Sequence, residues 1–558
     1  MTAAIKGEPL GRRLRVWLLF GAIVVALSGA WATAAHAQTS APSPPCGGHI
    51  SSSASAGDPC GDSTGNSSDI GITNKNDVTP VSDATGHNKI AVNIAWTLIT
   101  GFLVMFMQAG FALVETGFCR KKNAAHVMMT NFMIYGIGII GYWLVGYGFM
   151  FGGVGHIAQL GGTNPLNHMW SVGGWGLLGL KGFGGKGVYD VGVLAHFLFN
   201  LVFMDTTATI VTGGMAERWK FSAFIVYGFW VSMVIYPFFG AWTWGGGFLA
   251  QLGTKWGLGH GYVDFAGSGV VHAIGGFTAL GGAMVLGPRI GKYNEDGTPN
   301  TIPGHNLTMA MLGCFILAFG WFGFNPGSTL AATDLRISVV AVNTLLASAT
   351  GAFCAMMWAY NRAPFKKPDP GMAVNGMLAG LVAITAPSGF VAPWAALVIG
   401  AVAGVLVIES VLFIERRMKV DDPVGAISVH GTCGLWGLIA VGLFADGTYG
   451  AGWQGVNGTV KGLFYGDGGQ LVAELIGCAV ILLWAWGGGW VFFKIQDRIQ
   501  GIRSSPQDEL AGLDLPEMGA LAYVDEDTTM LPAPEPVLAG AGAGPISPTP
   551  PSSPGVGI

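Results

Sequence analysis

The chain has 558 residues, of which 51% are apolar and only 10% charged, with 91 glycines and a formal net charge of -4. Long uncharged runs separated by short charged ones indicate a polytopic helical membrane protein, not a soluble domain. Glycine without a three-residue period excludes collagen, and a charge so small and dispersed gives no ground for a nucleic-acid partner.

Taken from the start, Lys6, Arg12, Arg13 and Arg15 precede an apolar run from Val16 to about Ala30, followed by Ala35-His36-Ala37. The pattern predicts a secretory signal peptide over residues 1–37, cleaved before Gln38, with an uncleaved first helix as the alternative. Residues 38–88 then form an exported Ser/Gly-rich segment holding Cys46 and Cys60, which an oxidising compartment would allow to bridge. Cys119, Cys314, Cys354, Cys433 and Cys478 lie in or beside apolar runs and read as small packing residues. The sequence carries neither CxxC nor HExxH, which argues against a metal centre, and no cofactor is expected.

Eleven runs long enough to span follow, centred near residues 102, 140, 203, 231, 276, 317, 348, 380, 403, 435 and 481, the one near 380 being short. Alternate connections differ in basic residues. One set, from Arg120, Lys121 and Lys122 through to Lys494, Arg498 and Arg503, holds 16, and the other 7. Cytoplasmic loops carry the excess, which places the mature N-terminus outside and the C-terminus inside. The long Gly-rich connection from Gly152 to Asp190 then falls outside. Residues 89–496 are read as the transmembrane domain, 497–525 as a cytoplasmic tail, and 526–558 as a disordered extension rich in Pro, Ala and Gly.

Within DFAGSGVVH, Asp264 precedes His272 by eight residues, and within DDPVGAISVH, Asp422 precedes His430 by the same interval. Eight helical residues rise about 12 Å, close to the middle of a hydrocarbon core about 30 Å thick. The two runs are predicted to point in opposite directions, as an inverted repeat arranges helices around a midplane site. Ionisable groups at that depth are costly and usually mark a pathway, although a buried histidine can also merely satisfy a neighbouring group. Asp264 and Asp422 read as helix caps in preference to ion ligands.

The predicted topology gathers Trp244, Asp264 and Ser328 at the outer surface, an aromatic face, a carboxylate and a hydroxyl suited to a small cation. A tryptophan there can equally be an interfacial belt residue. Phe324 lies one turn deeper than Ser328, and Phe203 offers a second ring that would strip water from whatever passes.

DFAGSGVVH, WFGFNPGS, GGMAERWKFSA and DDPVGAISVHGTCG resemble the signatures of the ammonium transporter/Rh family, over roughly Ala91 to Tyr523. The resemblance implies an all-α fold of eleven transmembrane helices, an inverted 5+5 repeat plus a final helix, assembled as a homotrimer in the bacterial inner membrane. It also implies roles. Trp244, Ser328 and Phe203, beside the structural carboxylate Asp264, would recruit ammonium; Phe203 and Phe324 would form the gate; His272 and His430 would be the twin-histidine pair, with Trp321 lining the pore. Asp422 stays a structural cap. Asn200 stands where many members carry Gln, Asp205 where the family is generally apolar or small, and Met518 where a histidine is common. The segment from Arg498 to Tyr523 resembles the family's regulatory tail, which implies a PII-type signal protein as a partner.

Ammonium donates hydrogen bonds, which distinguishes it from potassium, and a dry pore favours loss of its proton to the histidine pair. The expected function is therefore ammonium transport, with ammonia conducted and the proton relayed. A sensor or co-receptor signalling through its tail is the alternative. The lack of a nucleophile–base or metal constellation argues against an enzyme.

Overall fold

A computed structural model describes residues 79–524 apart from 156 and 162–164. The predicted signal peptide, the Cys46–Cys60 pair and the extension 526–558 lie outside the described residues. The chain divides into two units, Met1–Ala522 and Tyr523–Ile558, and the description below concerns the first.

Ten helices among the described residues are long and apolar enough to cross a membrane. In chain order they are α1 (Gly86–Phe118), α2 (Lys121–Phe151), α3 (Val191–Met215), α4 (Phe221–Trp242), α5 (Ser268–Leu286), α6 (Leu307–Thr329) and α7 (Ile337–Asn361). After a shorter apolar helix, α8 (Pro370–Thr385), come α9 (Pro393–Met418), α10 (Ile427–Phe444) and α11 (Gly468–Gln500). With 16 residues α8 reaches only about 24 Å, short of a full crossing, and it occupies the run near 380 that reads as short in sequence. The helix containing α1 begins at Thr79, ahead of the expected boundary at 89, with Pro80 in its first turn where proline costs no hydrogen bond. Likewise α11 continues to Gln500, where Gly501 takes φ 69° and ends it.

Side-chain caps start several of these helices. Asp190 accepts from the N–H groups of Gly192 and Val193 ahead of α3, and Asp467 from those of Gly469 and Gln470 at α11. The glycine surplus serves helix contact: a Cβ on Gly351 of α7 would lie 2.4 Å from the Gly376 carbonyl oxygen of α8, so these backbones nearly touch.

The connection between α2 and α3 contains a hairpin that composition did not suggest, with β1 (Met169–Val172) antiparallel to β2 (Trp175–Gly179). Gly173 and Gly174 turn it with φ of 58° and 80°, the two positive angles that a two-residue hairpin loop requires. At the other end of the bundle, the segment after α11 docks on the starts of α2 and α4. Lys220 N–H donates to Ile502 O at 2.9 Å, His126 N–H to Asp514 Oδ1 at 2.9 Å, and Phe221 N–H to Glu517 Oε2 at 2.6 Å.

Candidate functional site

Two local devices, one on α5 and one on α10, build the centre. Asp264 accepts the N–H groups of Gly267 at 2.8 Å and of Gly269 and Val270 at 2.9 Å each. Asp422 accepts those of Gly425 at 3.0 Å and Ile427 at 2.7 Å. In both, the glycine three residues after the aspartate takes positive φ, and the helix opens with a π turn, Ser268–Ala273 or Ile427–Thr432, that contains the histidine.

The helices run antiparallel. Gly276 of α5 abuts Gly431 of α10, while Gly434 and Gly437, further along α10, abut Ser268 at the start of α5. His272 and His430 therefore meet, their Nδ1 atoms 3.2 Å apart and both rings buried. Only one proton fits between two such nitrogens, so one Nδ1 donates and the other accepts. Among the described residues, His272 Nε2 has no hydrogen-bond partner.

Aromatic rings continue the column. Trp321 stacks on His272 at 5.1 Å between centroids, held by its indole N–H to Thr385 Oγ1 at 2.9 Å. Phe324 lies 5.4 Å from His272 and stacks against Phe203 at 4.0 Å. Phe203 in turn meets Trp244 edge-on at 6.0 Å.

Above Phe203 a cavity of about 820 Å³ is lined by Trp244, Ser328, Phe203 and Asn200 among others. Ser328 donates its hydroxyl proton to Phe324 O at 2.8 Å, which leaves Oγ lone pairs free to accept from a cation. The Trp244 indole N–H is committed to Asp264 O at 2.7 Å, which fixes the ring. Asp264 itself is buried behind the wall and does not line the cavity, consistent with a cap and not with direct ion contact.

Asn200 Nδ2 donates to His196 O at 2.9 Å, one turn back along α3. Asp205 points away from the column, toward Gly138 of α2, and its Oδ1 has no hydrogen-bond partner among the described residues. Several groups were missed from sequence. His196 lines the cavity with its Nδ1 3.0 Å from Tyr147 Oη, and it carries the same signal, a histidine in an apolar run, that singled out the pair. Thr385, Gln470 and Glu474 offered no such signal, because their partners are distant in sequence.

Below the histidines, at the other end, Asp421 and Asp422 titrate in opposite directions. Burial raises Asp422, and the backbone N–H groups it caps only partly offset this. Burial also pushes Asp421 up, but the Arg218 charge and the hydrogen-bonded Arg289 outweigh it and hold the carboxyl below the usual range. Arg289 donates from Nε and Nη2 to the two Asp421 oxygens at 2.8 and 2.9 Å.

A bundle of membrane-crossing helices around an aromatic-lined column, closed by two buried histidines, defines a polytopic membrane transport protein. The chain belongs to the Ammonium Transporter Family, which it matches over residues 95–523. It is 49% identical to ammonium transporter Amt2 of Archaeoglobus fulgidus over 439 residues, covering 78% of this chain and 89% of that protein. Similarity to ammonium transporter Amt1 of Haloferax mediterranei is 37% over 446 residues, 77% of this chain and 79% of the relative. Among solved structures, one described as a sensor Amt protein shares 36% identity with a TM-score of 0.68, covering 77% of this chain and 99% of that one. Mep2 of Candida albicans shares 27% with a TM-score of 0.64, covering 79% and 93% respectively.

Proposed function

We propose that the protein carries ammonium inward by recruiting it at the cavity, stripping its proton and relaying that proton through the histidine pair. Trp244 and Ser328 receive the cation through a ring face and an oxygen lone pair. The stacked Phe203 and Phe324 exclude its water. In the dry column beyond them the charged form is disfavoured, so the proton leaves. His272 Nε2 is the accepting atom, and the single proton between the two Nδ1 atoms lets the pair pass one on while ammonia moves alongside. No covalent chemistry, metal or cofactor is needed.

The observation that carries this reading is the 3.2 Å contact between the two Nδ1 atoms in an otherwise apolar column. It is tested with purified protein in liposomes, recording current after an ammonium jump. The double variant His272→Leu/His430→Leu is expected to remain assembled, since volumes change modestly, and to lose the current. Wild-type current and selectivity in an assembled double variant would reduce the histidines to core residues.

A second reading, an ammonium sensor signalling through its tail, is favoured by the docked segment after α11 and by likeness to the structure described as a sensor Amt protein. The same recording separates the two, because a pure sensor gives no charge movement. In the proposed setting the protein is a homotrimer with one pore per subunit in the bacterial inner membrane. Lipid covers outward rings such as Phe132 and Phe315, the mature N-terminus lies outside, and a PII-type protein meets the cytoplasmic tail.

A further inference from the structure

The segment that leads to Asp264, behind the cavity wall, is fastened by α11. Gln470 and Glu474 lie one turn apart on that helix, and both are buried. Gln470 Oε1 accepts the His260 N–H at 2.9 Å, and its Nε2 donates to Gly261 O at 2.8 Å and to Glu474 Oε1 at 2.7 Å. Glu474 Oε1 also accepts the Val263 N–H at 2.9 Å. Little slack exists around this segment, because a Cβ on Gly261 would lie 2.3 Å from Ala250 O and one on Gly477 of α11 would lie 2.1 Å from the Tyr262 ring. Tyr262 in turn donates its hydroxyl to Asp264 Oδ2 at 3.3 Å.

We infer that Gln470 and Glu474 are positioning residues for cation capture, acting through backbone and touching no substrate. The amide that Glu474 holds belongs to Val263, one residue before Asp264. The Asp264 carbonyl orients the Trp244 indole, and its carboxylate starts the helix that bears His272. Side chains on the last helix thereby set the angle of the ring at the mouth. Glu474 Oε2 is buried without a hydrogen-bond partner among the described residues, and burying a carboxyl that uses one oxygen is costly, so packing alone does not account for the residue. The inference rests on Trp244 being the recruiting ring.

The test is the ammonium dependence of current in proteoliposomes for Glu474→Met, Glu474→Gln, Trp244→Leu and the double variant Glu474→Met/Trp244→Leu. Releasing the Val263 amide in Glu474→Met is expected to raise the half-saturating ammonium concentration about fivefold with the maximal current retained. Glu474→Gln, whose amide oxygen can accept the same two N–H groups, is expected to restore the wild-type value. The double variant is expected to be no worse than Trp244→Leu alone, since residues acting as one unit are not additive. Wild-type half-saturation in Glu474→Met, or additive effects in the double variant, overturns the inference while a raised value in Trp244→Leu keeps the recruitment reading. An unchanged value in Trp244→Leu overturns both. Should Glu474→Met fail to assemble, Gln470→Met removes the bonds to His260 and Gly261 while leaving the Glu474–Val263 bond. Its half-saturation is expected to rise in the same direction, and a wild-type value there overturns the inference.

Discussion

A Cβ placed on Gly276 would lie 2.2 Å from the backbone nitrogen of Gly431, so α5 and α10 touch at a point where only glycine fits. His272 lies one turn from Gly276, and His430 is the residue next to Gly431; the contact between the histidines depends on this approach. Gly276→Ala is expected to force the helices apart at a cost of about 1–3 kcal/mol. The expected outcome is a lower unfolding temperature of the purified protein together with reduced ammonium current. Gly136→Ala on α2, where an added Cβ meets nothing within 4 Å, is the matched control and is expected to change neither.

The Phe203–Phe324 stack is the narrowest aromatic contact in the column. Replacing both rings with alanine, Phe203→Ala/Phe324→Ala, joins the cavity to the space around His272 and admits water. Potassium current in ammonium-free solution is the measurement, and its rise above the wild-type level is the expected outcome. A variant as tight to potassium as the wild type would remove the gate from these two rings.

Asp421 gives a pH dependence with a definite sign. Its carboxyl is held below the ordinary range in the folded protein, so it contributes stability above the unfolded value of about 3.9 and loses it as pH falls through the folded value. Asp421→Asn is therefore expected to lower the unfolding temperature at neutral pH, by the equivalent of about 3–5 kcal/mol for a broken buried pair. Below about pH 4 the gap to wild type should narrow. A gap that stays constant from pH 7 to pH 3 would show that the ion pair with Arg289 is not its source.

Asp205 lies about 200° around α3 from Phe203, away from the column. A buried carboxyl with an unpartnered oxygen is destabilising, and an apolar group of similar branching relieves it. Asp205→Leu is expected to raise the unfolding temperature and leave the ammonium current intact. A clear fall in stability would mean that the carboxyl has a stabilising partner at Gly138 or beyond.

The apolar runs, their order and the paired Asp–His spacing are local properties, and they were legible. Ten of the eleven runs form helices long enough to cross, and the short one near 380 is short for the reason its sequence shows. The hairpin between α2 and α3 escaped notice because four- and five-residue strands leave little periodicity among glycines. His196 also lies in an apolar run, but no aspartate stands eight residues before it, so it lacks the spacing that marks the pair.

By itself the sequence determined that the chain crosses a membrane repeatedly and that two histidines lie at matching depth, since hydropathy and rise per residue need no knowledge of neighbours. Tertiary structure alone decided that these histidines meet Nδ1 to Nδ1. They are 158 positions apart, and their contact follows from backbone approach at Gly276 and Gly431. It also decided that Asp264 is a cap behind the wall and that Gln470 and Glu474 hold the segment leading to it. Hydrogen bonds between groups some 210 residues apart are short, directional and indifferent to sequence distance, so no local pattern could announce them.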